Sequence, residues 1–475
     1  MNKYKRLAVN TAIFTAGSFG SKIISLLLNN LYTKHISPAQ LFTKSLLETL
    51  ALFLIPVFTF AVTEAVIRYG LDDKYSKSQV FTTASAINLS GLLLMAVFVP
   101  LIQFIPFFSR IGSYTPLLML YITASSLRAL CSQFVRARKM VVLFSVDGIL
   151  ATLTLLIFNL IFISRLGMGV RGFMISMILS DLCSAGFLFI TAGLRRFLTR
   201  EGLSRPLAGS MLKFTLPLIP TTVMWTFTGF SDQIFIGNMH SGHLFLGDKA
   251  AGIYAAASKI PNLISMLSTI FFQAWNMSAI LENDSSDRDR FYANVYSAYE
   301  SLLFAGSACL LLVVKPVSAL LINYSVYPEY RTAWTYTPLL IAAAVYTCFD
   351  LFLAGIYTAT KNTRNAFLTI LAACSANIAL NLLLIPVLGM QGAALATFLS
   401  YLICFWVRII DARRFVPFRF SIVKNVLNTA LLLLVCADVI FRPEHWYLWE
   451  VLLTAVIAGI NIRPLLETAK RLLKR

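Results

Sequence analysis

Two stretches decide how the chain folds: Asn159 to Leu182, NLIFISRLGMGVRGFMISMILSDL, and Asn381 to Leu402, NLLLIPVLGMQGAALATFLSYL. Each reads as an apolar helix, a tight Gly-Met turn and a returning apolar helix. Asn159 aligns with Asn381 and Gly167 with Gly389, at a constant offset of 222 residues. A Gly turn between apolar helices recurs in many polytopic chains, because glycine tolerates tight turns and close helix approach. A second, weaker correspondence at an offset of 212 sets Phe42 near Tyr254 and Glu64 near Asn276. Repeated bundles of this kind are a common way to build a transporter. The repeat divides the chain into a six-helix bundle over 1–200, a second over 205–412, and two additional helices with a basic tail over 413–475.

Composition agrees with a membrane location. Of 475 residues 58% are hydrophobic and only 13% charged, about half the charged content of soluble domains. Three soluble domains of this total length could not be covered with so few polar residues, so a soluble enzyme is excluded. Cutting the chain at charge clusters and at Pro, Gly and Asn gives fourteen apolar segments of about membrane length: 9–33, 40–68, 78–108, 113–136, 140–164, 171–194, 210–237, 250–280, 291–314, 333–359, 364–386, 390–410, 421–441 and 446–462. The basic start MNKYKRLAVNTAIFTAG runs into apolar sequence as far as Tyr32, too long for the core of a signal peptide, and reads as a retained first helix.

The 40 Lys and Arg against 21 Asp and Glu report topology before substrate. With the N-terminus cytoplasmic, 28 bases fall on cytoplasmic segments and nine on outside segments, which supports fourteen helices with both ends inside. The seven cysteines lie in apolar runs without metal-binding spacing and read as small core residues. Every loop is too short for a soluble catalytic domain, and the chain has no GxSxG, HExxH, DxD or P-loop, so neither hydrolytic chemistry nor ATP drive is expected.

The segments AGIYAAASKIPNLISMLSTIFFQAWNMSAI (Ala251 to Ile280) and NIALNLLLIPVLGMQGAALATFLSYL (Asn377 to Leu402) resemble the Wzx-type polysaccharide flippases, members of a superfamily (MOP) that includes the MATE drug exporters and the lipid II flippases. The segment SPAQLFTKSLLETLALFLIPVFTFAVTEAVIRYGLD (Ser37 to Asp72) has the family outline but departs from it, with Leu41, Phe42 and Thr43 where family members usually have Tyr-Gly or Phe-Gly. The resemblance spans about 1–412. It implies an all-α transporter of a bacterial cytoplasmic membrane, with two bundles in a V around a central cationic cavity. By alternating access such a protein moves an undecaprenyl-diphosphate-linked oligosaccharide from the inner to the outer leaflet for polysaccharide biosynthesis. It further implies membrane lipids, a polysaccharide polymerase and glycosyltransferases as partners, no nucleic acid, and no cofactor beyond a coupling H+ or Na+.

Three bases fall inside predicted helices: Lys22, Arg128 and Lys259. An ionisable group at the centre of a bilayer costs on the order of 2.5–3.5 kcal/mol, so each should face a cavity or a partner. A diphosphate is a natural counter-charge for such bases, and the resemblance assigns Lys22, Lys259 and Arg68 to the cavity; Arg128 is a further candidate. The competing reading pairs these bases with Glu48, Glu64 or Asp232, or lets Arg68 snorkel to the interface. Among the intramembrane acids, Asp232, Glu48 and Glu64 are the candidates for a coupling-ion or sugar contact, while Asp147, Asp181, Glu300, Asp350 and Asp438 read first as interfacial or ion-paired groups. Trp225 and Trp275 can stack on a sugar or pack in the core. His240 and His243, reading HSGH, suit a solvated loop better than a metal site. Pro56, Pro217, Pro220 and Pro261 mark hinges or static kinks.

Two other functions compete with the flippase. A MATE-like cation-coupled multidrug exporter should have twelve helices and a more acidic cavity. A membrane polysaccharide polymerase or ligase should carry a large outer loop with catalytic Arg or His.

Overall fold

The structure is a computed structural model that describes residues 24, 27–72, 74–104, 111–282, 287–360 and 362–473. Among the described residues it contains helices and turns and no strand. Among the described residues, twelve helical stretches are long and apolar enough to cross a membrane. Together with the repeat and the composition, they make the chain a multi-pass membrane protein. Of the fourteen expected segments, 9–33 lies mostly outside the described residues and 250–280 is not one continuous helix.

The chain divides into two compact units, one comprising the described part of Gly20–Phe230 and the other containing Ser231–Arg475. In the first, a helix over residues 27–35 (α1) leads into α2 (Pro38–Phe58), α3 (Val62–Leu71), α4 (Lys77–Phe98), α5 (Thr115–Ala137), α6 (Val141–Asn159), α7 (Gly169–Thr191), α8 (Arg205–Thr215) and α9 (Leu218–Asn238), whose last turns belong to the second unit. The local signals are clear at the helix starts. Ser37 caps α2 by accepting from the Gln40 amide while Gln40 Oε1 accepts from the Ser37 amide, and Ser76 and Gln79 repeat this capping box on α4. Each box satisfies two otherwise unpaired N–H groups.

The expected single helix over 40–68 is in fact two. Phe60 and Ala61 sit at φ 54° and 49°, which breaks the chain between α2 and α3. The neighbour that accommodates this is Gly91 of α4: a Cβ there would lie 1.6 Å from the Phe58 carbonyl oxygen. Backbone meets backbone at this point, so only glycine fits beside the bend. Gly167 and Gly389, the aligned glycines of the repeat, both adopt positive φ, 63° and 59°, so both hairpins turn on a conformation that L side chains avoid.

The second unit holds α10 (Asp248–Ala257), α11 (Asn262–Glu282), α12 (Arg288–Leu312), α13 (Val314–Leu321), α14 (Thr337–Ala359), α15 (Thr363–Leu388), α16 (Met390–Ala412), α17 (Ile422–Phe441) and α18 (Trp446–Leu473). The break in the expected 250–280 segment runs through Ser258 to Pro261, where Pro261 has no N–H to continue the helical ladder. The core of this unit is aromatic. Trp275 stacks on Phe352 at 4.2 Å between ring centroids and donates Nε1 to the Phe352 carbonyl at 3.0 Å. Gly355 leaves room for that indole, since a Cβ there would meet Trp275 Nε1 at 2.6 Å. Trp275 is therefore a packing residue.

Polar pairs fasten the last two helices. Asn428 of α17 and Asn461 of α18 exchange amide hydrogen bonds at 3.3 and 2.8 Å. Lys424 of α17 lies 3.5 Å from Glu300 of α12 and donates to Ser301 at 2.7 Å, and Asn425 donates to Glu300 at 3.0 Å. Glu300, one of the expected intramembrane acids, is thus neutralised within this helix contact.

Candidate functional site

Asp232 lies near the C-terminal end of α9 and is only 4% exposed. Three other helices of the same unit bring neutral donors to it. Tyr254 of α10 donates its hydroxyl to Oδ2 at 2.8 Å. Asn381 of α15 donates Nδ2 to Oδ1 at 2.8 Å. Thr397 of α16 donates to Oδ2 as well. Asn377 shares a helix face with Asn381 through their four-residue spacing: it accepts from Asn381 at 3.0 Å and from Ser231, and donates to Ser400 at 3.3 Å. Asn377 and Asn381 are fully buried. Among the described residues no Lys or Arg forms a salt bridge with Asp232.

The cluster is incomplete in one respect. Asn381 Oδ1 is buried without a hydrogen-bond donor, and a buried acceptor left without a partner costs about 1–3 kcal/mol. The Oδ1 belongs to the amide whose Nδ2 touches Asp232, so a half-turn of that amide brings a second oxygen to the carboxylate. Carboxylate, amide and hydroxyl oxygens then face one another, the donor set that suits a hard cation. Asn159, the repeat partner of Asn381, is also fully buried with an unpartnered Oδ1, at the junction of α6 with a π-helical turn over Leu160–Arg165.

The candidate cations fall in different places. Lys22 lies outside the described residues. Lys259 occupies the turn between α10 and α11 and is half-buried, at an interruption of the helix and not ten residues into a continuous one. Arg68 is exposed on the short α3, with its guanidinium 4.2 Å from the Phe214 ring. Arg128 of α5 contacts two acids: Nη1 lies 2.9 Å from Asp181 Oδ1 and Nε 3.8 Å from Asp147 Oδ2. Ser125 and Ser184 donate to those same carboxylates. One base between two acids leaves no surplus positive charge for a substrate anion.

The other two acids are separate from Asp232. Glu48 pairs with Lys44 one helical turn earlier, at 2.9 Å. Glu64 is exposed in the first turn of α3. His240 and His243 are exposed in a loop, and among the described residues no group of three His, Cys, Asp or Glu could hold a metal.

Two buried bases escape sequence reasoning. Lys44, expected on an outside segment, is 4% exposed in α2, with Nζ 4.4 Å from the Phe173 ring centroid; its four-residue spacing from Glu48 is the available signal. Arg408, expected on a cytoplasmic segment, is 1% exposed inside α16, donating to the Asp350 carbonyl at 2.8 Å and to Thr369 Oγ1 at 3.0 Å.

Among solved structures, the chain is similar to the lipid II flippase MurJ in an inward closed conformation, with 17% identity, a TM-score of 0.68, and coverage of 97% of this chain and 100% of that one. What the two share is the fold. An inward-facing multidrug resistance MATE transporter of the MOP superfamily gives 15% identity, a TM-score of 0.67, and coverage of 87% and 99%. The Vibrio cholerae MATE transporter VcmN, in a point-mutant form, gives 14%, 0.64, and coverage of 87% and 98%. These neighbours are transporters and flippases, not enzymes. No protein-family model and no curated protein matches the chain.

Proposed function

We propose that the protein flips an undecaprenyl-diphosphate-linked oligosaccharide across a bacterial cytoplasmic membrane by alternating access, driven by a small cation that binds at Asp232. The observation that carries the transport reading is the Asp232 cluster: a buried carboxylate with only neutral donors among the described residues, beside an unpartnered amide oxygen. Such a site is costly when empty, and an oxygen-coordinated cation relieves the cost. Sodium fits this set of oxygens.

Length favours a lipid-linked substrate over a drug. The MATE structures match 87–88% of this chain and the MurJ structure 97%, so the correspondence with a lipid flippase extends further along the chain. Lys22 and Lys259 remain the proposed contacts for the diphosphate, while the ion pairs of Arg128 make it a structural residue in this reading. Lys259→Ala and Lys22→Ala should each abolish complementation of a flippase-deletion strain while the protein still reaches the membrane. Normal glycan export by both variants would remove the cationic contacts from the mechanism.

A further inference from the structure

The second unit has a pocket that the transport reading does not use. It lies between α13 and a 3-10 helix over Pro328–Tyr336, has a volume of about 490 Å³, and is lined by Lys315, Tyr324, Tyr330, Arg331 and Trp334 among others. This volume falls in the range of about 300–1,000 Å³ typical of small-molecule sites. No acidic residue lines it. Lys315 and Arg331 are exposed, while Tyr330 is buried beneath them.

Trp334 is the centre of the pocket's electrostatics. Lys315 Nζ lies 5.9 Å from its ring centroid, and the guanidinium of Arg442 lies 4.3 Å from Trp334 and 4.8 Å from Trp446. Arg442 itself does not line the pocket and lies in the field of the buried Glu450, so the bases open to a ligand are Lys315 and Arg331. Next in sequence to the lining residues, Leu320 and Val326 are 63% and 56% exposed. Tyr and Trp beside bases, next to exposed aliphatic side chains, is the composition of a membrane-interface site, with rings at headgroup level and chains below. The alternation of the fourteen segments expected from the sequence puts the stretch between α12 and α14 outside, and the proposal takes that orientation.

We infer that this pocket binds the phosphate of an anionic phospholipid headgroup in the outer leaflet, with Lys315 and Arg331 contacting the phosphate and Trp334 and Tyr324 packing against the glycerol backbone. The inference goes beyond the flippase reading and does not depend on it, because binding, not transport, is measured. The fixed phosphate geometry suits a forked guanidinium, and the apolar rim suits an acyl chain.

The test is native mass spectrometry of the purified full-length protein titrated with phosphatidylglycerol, phosphatidylcholine, undecaprenyl phosphate or inorganic phosphate. Wild-type protein should bind phosphatidylglycerol at least tenfold more tightly than phosphatidylcholine. The double variant Lys315→Gln/Arg331→Gln should lose that preference, whereas Lys249→Gln, an exposed base elsewhere in the unit, should keep it. Both substituted side chains are exposed, and an unchanged melting temperature checks the fold. If the double variant does not fold, each single substitution should weaken phosphatidylglycerol binding severalfold. Equal binding of the two phospholipids, or unchanged binding by the variants, would overturn the inference. So would displacement of phosphatidylglycerol by equimolar inorganic phosphate, which would make this a free-anion site, or by undecaprenyl phosphate at a tenth of its concentration, which would make it a polyprenyl site.

Discussion

Replacing Arg128 with Met should destabilise the first unit more than neutralising either acid beside it. Arg128 and Asp181 approach to 2.9 Å, where two unit charges attract by about 6 kcal/mol at an effective dielectric of about 20. Desolvation consumes much of this, and removing one partner of a buried pair typically costs about 3–5 kcal/mol. Arg128 is 31% exposed at its side chain, so solvent screening brings the expected loss to roughly 2–3 kcal/mol. The triad carries one base and two acids, which makes the costs unequal. Arg128→Met leaves Asp147 and Asp181 as two uncompensated carboxylates, whereas Asp181→Asn leaves a neutral Arg128–Asp147 pair and an amide that still accepts from Ser125, at a cost of about 1 kcal/mol. Adding Asp147→Asn and Asp181→Asn to Arg128→Met should recover most of the loss. Denaturant unfolding in detergent, with transport measured in parallel, reads all three variants against wild type. Arg128→Met matching wild type, or Asp181→Asn proving more harmful than Arg128→Met, would refute the ion-pair reasoning.

Three further outcomes are expected. Gly91→Ala places a Cβ 1.6 Å from the Phe58 carbonyl oxygen and should abolish folded expression, whereas Gly148→Ala, with nothing within 4 Å, should be neutral or stabilise by up to about 1 kcal/mol; a size-exclusion profile distinguishes them. Asn461→Ala strands the Asn428 amide and should cost about 1–3 kcal/mol, while Asn428→Leu/Asn461→Leu should cost less than the single substitution, as read by melting temperature. His35, at the end of α1, has its pKa lowered from 6.5 by burial first and by Lys34 second. A folded pKa below the unfolded value means the unfolded chain binds the proton more readily, so the His35 contribution is present above pH 6.5 and is lost as pH falls below it. An NMR titration midpoint above 6.5 would contradict this.

Helix positions were readable because apolar runs end at Pro, Gly or charge, signals that are local in the chain. The break at Ser258–Pro261 was signalled by Pro261, though as a kink and not as a helix end; the break at Phe60–Ala61 was not, since it lies where Gly91 of another helix approaches Phe58. Arg128 stood out as an isolated charge, yet its partner Asp181 is 53 residues away, and only the packing of α5 on α7 joins them. Arg408 was misplaced because a base near a helix end looks the same in sequence whether it faces the cytoplasm or the core. Asp232 was legible as an acid in an apolar helix. Its partners Asn381 and Thr397 were not, although Asn381 anchors the repeat itself, because an uncharged amide does not stand out in a search for buried charge.

The most direct test places the purified protein in proteoliposomes with a fluorescent undecaprenyl-diphosphate oligosaccharide and follows its appearance in the opposite leaflet with and without a sodium gradient. The predicted result is translocation that the gradient accelerates at least tenfold in wild type and leaves unchanged in Asp232→Asn. Translocation indifferent to sodium in wild type, or gradient-driven translocation that survives Asp232→Asn, would contradict a coupling cation at Asp232.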